Sequence, residues 1–461
     1  MNIYRRKFLA NTGALTGAAL AGNLGTWGVE SARAQAADYK ALVCLFFFGG
    51  NDSNNMVVPI DDYAQYSAVR TVASNIQLTQ ASLLPVDSNI PGNNKKYGLH
   101  PNLTSLAPIY TAGKMAILAN SGTLLRPTTV AQYKSGGIYR PPNLFSHSDQ
   151  QYAWMGLMPG AIVRTGWAGR ASDKLKNANT GALIPSTVSV SGNQVFGMGN
   201  STVPFVIPQN GGVNLSGQGA DAVSKARYTA LRALLVSGTG NTIVDGAAAV
   251  MDTALTAAEA ANPFLAATPQ VITNAFINPA NPAAQLNTGI ANQFKQVARL
   301  IEARATLGTH RQFFMVNMGG FDNHSNLLTG QGALMQTMND AVAAFYKYTV
   351  DAGVANMVTT FTMSDFSRTF IGNANAGTDH AYGAHHFVLG GAVKGNRMYG
   401  TFPTLVPKGP DDSGGNGAWL PTTSTDQIGG TLAAWFGMPA ADIDYTFPNL
   451  KNFGVTNLGF V

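Results

Sequence analysis

The sequence predicts an α/β protein with a mostly parallel central sheet, and three observations carry this prediction. Five apolar runs have the length of buried strands. Stretches with helical periodicity lie between these runs, an alternation that is typical of parallel sheets with helices on their faces. The 461 residues are 45% hydrophobic, so the chain can bury a large core and global disorder is excluded.

The predicted strands follow the apolar runs in order. In the chain they are expected at residues 41–48, 114–120, 312–318, 356–363 and 386–391, and the first and third end at glycine pairs. Helices are predicted at residues 223–236, 246–260, 284–307, 331–351 and 426–437. The stretch of about 160–283 is rich in Gly, Asn and Thr, and is interpreted as an insertion or cap on the main domain.

Residues 1–36 have the features of a twin-arginine signal peptide. A twin-arginine pattern at residues 5–9 precedes a weakly apolar stretch, and small residues suit cleavage after Ala34 or Ala36. A transmembrane anchor is the alternative, but the apolar stretch is short and interrupted by glycine. We therefore expect the twin-arginine export machinery to deliver a mature chain of residues 37–461 without a stable membrane anchor. Its location would be the periplasm, the cell surface or the medium.

The net charge and the single cysteine exclude two classes of protein. The formal net charge is +6, but residues 1–36 hold four basic residues and one acid, which leaves about +3 on the mature chain. So small an excess of positive charge gives no reason to expect nucleic acid as a partner. Cys44 is the one cysteine, so an intrachain disulfide and a thiolate zinc site are both excluded.

Acidic and histidine side chains follow the ends of the predicted strands. Ligands gather at the carboxyl ends of strands in open parallel sheets, so we expect these side chains to lie close together. The candidates for metal binding are Asp52 after the first strand, Asp322 and His324 after the third, Asp365 after the fourth, and Asp379, His380, His385 and His386 around the start of the fifth. Carboxylates that converge repel one another unless a cation lies among them, so the sequence predicts a site for one or two metal ions.

Several of these candidates also have a structural interpretation. Asp52 could form an Asx turn, Asp365 could cap a helix, and the pair after the third strand could be polar groups of a turn. His385 and His386 point to opposite sides of an extended strand, so we expect only one of them to bind metal.

Four further residues are candidates for catalysis. Ser146 and Ser148 flank His147 ahead of a helical stretch, where a hydroxyl is well placed for an anionic substrate. The alternative is that one of these serines only caps the helix. His147 would act directly at the site, or it would orient one of the metal ligands through a hydrogen bond. Arg368 could clamp an anionic oxygen or form a salt bridge.

The motifs at these positions resemble those of a known family. They are FFGGND at 47–52, FSHSDQQ at 145–151, GGFDNH at 319–324, SDFSRT at 364–369, GTDH at 377–380, HHFVLGGAVKG at 385–395, and PTTSTDQ at 421–427. In this order they resemble the bacterial, twin-arginine-exported family called domain of unknown function 1501. That family is similar to the alkaline phosphatase and sulfatase superfamily, which implies a three-layer α/β/α sandwich with a metal site at the strand ends.

The resemblance also implies roles for individual residues. Asp52 matches the superfamily's metal ligand after the first strand, and Ser146 or Ser148 matches its nucleophile at the start of a helix. Asp322 and His324 match an Asp and a His after a middle strand, although one residue separates them here instead of three.

The remaining ligands of the superfamily are an Asp-His pair and a later histidine. Asp379 and His380 match the pair, and His385 or His386 matches the later histidine. The pair normally ends a strand, whereas here it follows a glycine-rich loop and the fourth strand ends at Asp365.

The predicted function is an exported, metal-dependent hydrolase of phosphate or sulfate esters in a small-molecule or polymer substrate. The cofactor is one or two divalent metal ions, with zinc expected first and manganese, calcium and iron as alternatives. Phosphoryl chemistry is favoured, because Cys44 lacks the sequence context of a sulfatase formylglycine. The alternative is a non-catalytic secreted or cell-surface protein that keeps the fold and binds metal or a polyanionic polymer.

Overall fold

A nine-stranded sheet lies at the centre of the fold. The computed structural model describes residues 38–92, 94–158 and 164–461, so the predicted signal peptide lies outside the described residues. Lys40–Val461 form one compact unit. In chain order the described strands and helices are β1 (Lys40–Phe47), α1 (Ser53–Met56), β2 (Val57–Pro59), α2 (Tyr63–Arg70), β3 (Leu84–Asp87), β4 (Lys96–Leu99), α3 (Leu106–Thr111), β5 (Met115–Gly122), α4 (Val130–Ser135), α5 (His147–Gly156), α6 (Trp167–Lys174), β6 (Thr187–Ser189), β7 (Phe205–Val206), α7 (Ala222–Leu235), α8 (Thr242–Leu265), α9 (Gln270–Ala275), β8 (Ile277–Asn278), β9 (Asn281–Gln285), α10 (Gly289–Glu302), α11 (Arg304–Leu307), β10 (Arg311–Met318), α12 (Leu327–Asp351), β11 (Val358–Ser364), β12 (Ala384–Gly390), β13 (Arg397–Tyr399), β14 (Thr423–Ser424), α13 (Thr425–Phe436) and α14 (Ala440–Thr446).

The central sheet is largely parallel. Its strands lie in the order β13-β5-β12-β11-β1-β10-β6-β7, and β14 also pairs with β5. β1 pairs in parallel with β10 and β11, and β6 and β7 continue in parallel beyond β10. β12 pairs antiparallel with both β11 and β5, so it runs against its neighbours. Helices cover both sides of the sheet, which confirms the predicted mixed α/β class.

The strand β1 shows why the core lies at the middle of the sheet. Residues 41–47 are fully buried, because their apolar side chains alternate between two covered faces. On one face Cys44 belongs to a large apolar cluster that also contains Trp167. On the other face Phe47 packs against Phe321, with ring centroids 4.8 Å apart. Burial also raises the pKa of the Cys44 thiol, which is typical of a small core residue.

All five predicted strands are confirmed, and their bounds agree with the structure to within about two residues. They correspond to β1, β5, β10, β11 and β12. The five predicted helices correspond to α7, α8, α10, α12 and α13. The prediction at 284–307 is wrong at its start, where β9 ends at Gln285. Helix α10 begins only at Gly289, because the Thr288 side chain accepts the Ala291 N–H and caps the helix there.

The stretch interpreted as an insertion or cap contributes to the sheet itself. Its strands β6 and β7 extend the sheet beyond β10. Its helices α7 and α8 pair through Arg232 and Asp252, 3.0 Å apart, and α7 buries none of its residues. No helix of the described ranges is long and apolar enough to cross a membrane.

Three neighbouring strands bring their carboxyl ends to one edge of the sheet. β11, β1 and β10 are adjacent and parallel, so Asp365, Gly49 and Asp322, which follow them, lie near one another. β12 begins at the same edge because it runs antiparallel to β11, and the loop before it carries His380 there. The candidate site is built at this edge.

Asp426, in the first turn of α13, makes stability depend on pH. Desolvation raises the pKa of this buried carboxyl to about 7, although Asn449 and Arg170 oppose the shift. The folded state then binds the proton more tightly than the unfolded chain, so this group's contribution to stability falls as pH rises from about 4 to about 7.

We therefore expect Asp426→Asn to raise the free energy of unfolding at pH 8 by up to about 4 kcal/mol, and to change it little at pH 4. Urea unfolding of both proteins at the two pH values measures this. An equal effect at both would contradict the prediction.

Candidate metal centre

The first residue of α5, His147, is oriented by Asp365. Three donors converge on Oδ2 of this buried carboxylate: Nδ1 of His147 at 2.6 Å, the Gly49 N–H at 3.0 Å and Nε2 of Gln151 at 3.2 Å. The proton of the imidazole is therefore on Nδ1, and Nε2 keeps its lone pair. That Nε2 atom is buried and has no hydrogen-bond partner among the described residues.

Two further histidines are held in the same way. Nδ1 of His380 donates to the carbonyl oxygen of Phe145 at 2.7 Å, and Nδ1 of His324 lies 3.2 Å from Oδ1 of Asp379. In His380 the proton on Nδ1 leaves the lone pair on Nε2, because a carbonyl oxygen can only accept. These two Nε2 atoms lie 3.1 Å apart.

The carboxylate of Asp322 lies where the three imidazoles converge. Its Oδ1 is 3.1 Å from Nε2 of His324 and 3.5 Å from Nε2 of His380. Its Oδ2 is 3.5 Å from Nε2 of His147. Possible ligand atoms of His147, Asp322 and His380 all lie within 4.8 Å of one another. We call these four residues, His147, Asp322, His324 and His380, the centre.

Arg368 sets the charge of the centre. Its fully buried guanidinium lies 2.8 Å from Oδ1 of Asp322. Desolvation raises the pKa of Asp322, but the charge and hydrogen bond of Arg368, together with the neighbouring His147 and His324, hold that pKa below its usual range. Desolvation lowers the pKa of His380, and the Arg368 charge adds to this against the opposing carbonyl of Phe145. An ionised carboxylate and neutral imidazoles are the forms in which these side chains bind metal.

The donor set fits a divalent cation such as zinc. A tetrahedral zinc ion with bonds of about 2.05 Å to histidine places two ligand nitrogens about 3.3 Å apart. The 3.1 Å between the Nε2 atoms of His324 and His380 is close to that value. Two lone pairs that face each other at such a distance repel unless a cation lies between them. A histidine that binds metal through Nε2 is usually oriented by an oxygen that accepts the hydrogen bond of its Nδ1, as is available to these rings.

The bond between Asp365 and His147 predicts the effect of one substitution. Asp365→Asn keeps the size of the side chain but removes the charge that holds the Nδ1 proton. We expect affinity for zinc to fall by about 10–100-fold, measured by competition with a chelating dye. Gln151→Leu removes one donor to the same carboxylate and is the matched control, with a smaller expected effect. Unchanged affinity in Asp365→Asn would rule out this orienting role.

Comparison with known proteins identifies the family of this chain. The family described as Protein of unknown function (DUF1501) matches residues 39–412. The chain belongs to this family. The predicted membership is thereby confirmed. No curated protein matches the chain.

Among solved structures, this DUF1501 protein is similar to Ps i-CgsB in complex with k-i-k-neocarrahexaose, at a TM-score of 0.36 and 9% identity over 90% of this chain and 76% of that one. It is also similar to the structure described as Ps i-CgsB, at a TM-score of 0.34 and 9% identity over 90% of this chain and 77% of that one. Likeness at this level carries no argument about activity.

Asp52 lies outside the centre of this DUF1501 protein, contrary to expectation. Its Oδ2 is 2.6 Å from Nη2 of Arg70, and both side chains are fully buried. Its Oδ1 accepts the N–H groups of Asn54 and Asn55 and so caps α1. Both oxygens are engaged in the core, so the structure does not bring Asp52 together with the centre as expected.

His385 and His386 also lie outside the centre. They do point to opposite sides of β12: Nδ1 of His385 accepts the Asn120 N–H at 3.0 Å and its ring stacks on Phe402, whereas the His386 ring packs against Trp154. Desolvation lowers the pKa of both to about 3, so both are neutral core residues. The structure therefore brings neither histidine together with the centre, where one of them was expected.

Asp365, Asp379 and Arg368 reach the centre in a different way from the one expected. The two carboxylates, predicted as metal ligands, bond the Nδ1 atoms of two histidines and thereby orient their rings. Arg368 forms an ion pair with Asp322, which was the second of its two interpretations.

The two candidate nucleophiles lie beside the centre. Ser146 caps α5, because its Oγ accepts the Asp149 N–H at 3.5 Å. Ser148 is exposed, and its hydroxyl lies 3.3 Å from that of Ser146. Among the described residues neither hydroxyl bonds a residue of the centre, so the geometry supports the capping role of Ser146.

Three groups at the site were missed from the sequence. Gln151 could have been found, because it follows His147 by four residues and so lies on the same face of a helix. The carbonyl of Phe145 carries no sequence signal. Gly49 has φ +112°, and a Cβ there would lie 2.5 Å from the backbone nitrogen of Asp322, so a glycine is needed for the two loops to approach.

Proposed function

We propose that this DUF1501 protein is an exported, metal-dependent hydrolase of phosphate or sulfate esters. One observation carries the proposal: three imidazoles each have an oxygen acceptor at Nδ1 and direct Nε2 towards the carboxylate of Asp322. A bound divalent cation would polarise an ester oxygen and stabilise charge on the leaving group.

The residues of the chain would hold and orient the reactants. His147, His324, His380 and Asp322 would bind the metal, with zinc the best match to this donor set. We infer one ion at this centre, because the other expected ligands are engaged in the core. Arg368 fixes the Asp322 carboxylate through its bond to Oδ1. Since Ser146 caps a helix, the attacking group would be a water molecule.

Metal content and turnover of the purified mature chain test this proposal. We expect about one zinc equivalent by elemental analysis, and hydrolysis of a phosphate or sulfate monoester that a chelator abolishes and zinc restores. His380→Ala should lose both properties, whereas His310→Ala, outside the centre, should keep both. Metal binding without chelator-sensitive turnover would favour the non-catalytic alternative. A metal content well below one equivalent would refute the proposal that the centre binds metal.

A further inference from the structure

A cavity of about 590 Å³ lies at the amino-terminal end of α5. Its lining includes Arg140, Asn143, Phe145 and Ser146, and we call it the loop cavity. The side chain of Phe145 is 39% exposed, although its carbonyl oxygen binds His380 of the centre. Arg140 is exposed, and its guanidinium lies over the ring of Tyr133 at 5.3 Å.

A second cavity, of about 460 Å³, lies along the side of α5. Its polar lining includes Gln151, Arg164, Asn193 and Gln194, and Tyr152 presents an aromatic ring that is 51% exposed. We call it the helix cavity. It too is connected with the centre, because Gln151 donates to the carboxylate that orients His147. Both volumes fall in the range of about 300–1,000 Å³ that is typical of ligand sites.

The two cavities adjoin at a pair of hydroxyl groups. Ser146 lines the loop cavity and Ser148 lines the helix cavity, and their Oγ atoms are 3.3 Å apart. His147 stands between these serines in the sequence and turns its ring to the centre. The two cavities therefore lie next to each other at the first turn of α5, which also carries His147 of the centre.

Each cavity offers the same three kinds of side chain: an exposed aromatic ring, an amide and an exposed arginine. A pyranose ring has a C–H face that stacks on an aromatic ring, and hydroxyl groups that donate and accept as an amide does. Arginine pairs with the oxygens of a sulfate, phosphate or carboxylate group. Within the described residues, neither Arg140 nor Arg164 forms an ion pair, so both guanidinium groups remain available to such an anion.

We propose that the substrate is an anionic carbohydrate chain that fills both cavities, so that the ester at the centre belongs to an internal unit. This inference rests on the proposed function, because it names the substrate class of the same site. Nucleic acid fits these cavities less well, since its affinity comes from many cations along the backbone, and the lining of each cavity supplies one arginine.

Affinity gel electrophoresis of the mature chain tests the ligand class. The probes are dextran, dextran sulfate, polygalacturonate and duplex DNA, each at the same mass concentration in the gel. We expect retardation by dextran sulfate or polygalacturonate, weaker retardation by dextran and none by DNA. Absence of retardation by every carbohydrate, or retardation by DNA as strong as by the anionic carbohydrates, would overturn the proposal.

Variants of the two cavities test whether one chain fills both. Arg140→Ala, Arg164→Ala and Tyr152→Ala are each expected to weaken binding of the retarding polymer about tenfold, with metal content unchanged. Arg227→Ala, on the exposed helix α7, removes the same charge elsewhere and should leave binding unchanged. Loss in the variants of one cavity alone would overturn occupation of both, and equal loss in Arg227→Ala would reduce the binding to non-specific attraction.

The proposed function and this inference can be refuted independently of each other. Cavity-dependent binding of the carbohydrate without chelator-sensitive hydrolysis would remove the enzyme and leave the binding site. Hydrolysis of a small monoester without binding of any carbohydrate polymer would keep the enzyme and remove this substrate class.

Discussion

Replacing Asp322 by asparagine is expected to lower the affinity for zinc by more than about 100-fold and to abolish hydrolysis. The variant keeps the shape of the side chain, but removes the one negative charge towards which three Nε2 atoms point. It also leaves the guanidinium of Arg368 without its carboxylate partner, so positive charge at the centre opposes the cation. Calorimetric titration with zinc and a monoester assay measure the two effects.

A matched control distinguishes loss of the ligand from a general loss of charge. Asp351→Asn, at the exposed end of α12, removes a carboxylate whose partner is Lys347 at 2.6 Å. We expect it to leave zinc affinity and turnover unchanged. The ligand role of Asp322 would be refuted if its asparagine variant bound zinc as tightly as this control does, with an unchanged circular dichroism spectrum.

Replacing Arg70 by methionine is expected to lower the free energy of unfolding by about 3–5 kcal/mol. Arg70 bonds the buried carboxylate of Asp52 at 2.6 Å and donates to the carbonyl oxygens of Thr369 and Phe370. Methionine fills most of the same space but leaves Asp52 as an uncompensated charge in the core. Urea unfolding followed by circular dichroism gives the change.

The control for this substitution is an ion pair at the surface. Lys347→Met breaks the exposed i,i+4 pair with Asp351, which is expected to cost less than about 0.5 kcal/mol. A loss of stability in Arg70→Met no greater than in Lys347→Met would show that Asp52 is not held as a buried charge. Restoring stability with Asp52→Asn in the Arg70→Met background would support the explanation, because the variant removes the unpaired charge.

The rule that strand ends converge was sufficient to find part of the site. It brought together Asp322, Asp365 and His380, because β10, β11 and the start of β12 meet at one edge of the sheet. It failed for Asp52, which also follows a central strand. Arg70 lies 18 residues further along the chain and reaches the Asp52 carboxylate only through the packing of α2, so no local pattern predicts the pair.

Histidines in the chain could not be assigned from their spacing alone. His385 and His386 looked like ligands because they stand close to His380 in the sequence, yet they belong to a strand with both faces buried. The fold itself was more predictable, since continuous apolar runs such as residues 41–47 can be buried only in a covered sheet. Backbone partners such as the Phe145 carbonyl are set by tertiary contacts and leave no trace in residue type.

The antiparallel strand β12 anchors part of the site to the central sheet. Because β11 and β12 are adjacent and antiparallel, residues 365–383 form a loop whose two ends join neighbouring strands. The hydrogen-bond ladder fixes both ends of this segment, so the pairing of β11 with β12 helps to set the positions of Arg368, Asp379 and His380 within it. A shift in the pairing of these two strands would therefore displace one proposed ligand, His380, and the two groups that orient Asp322 and His324.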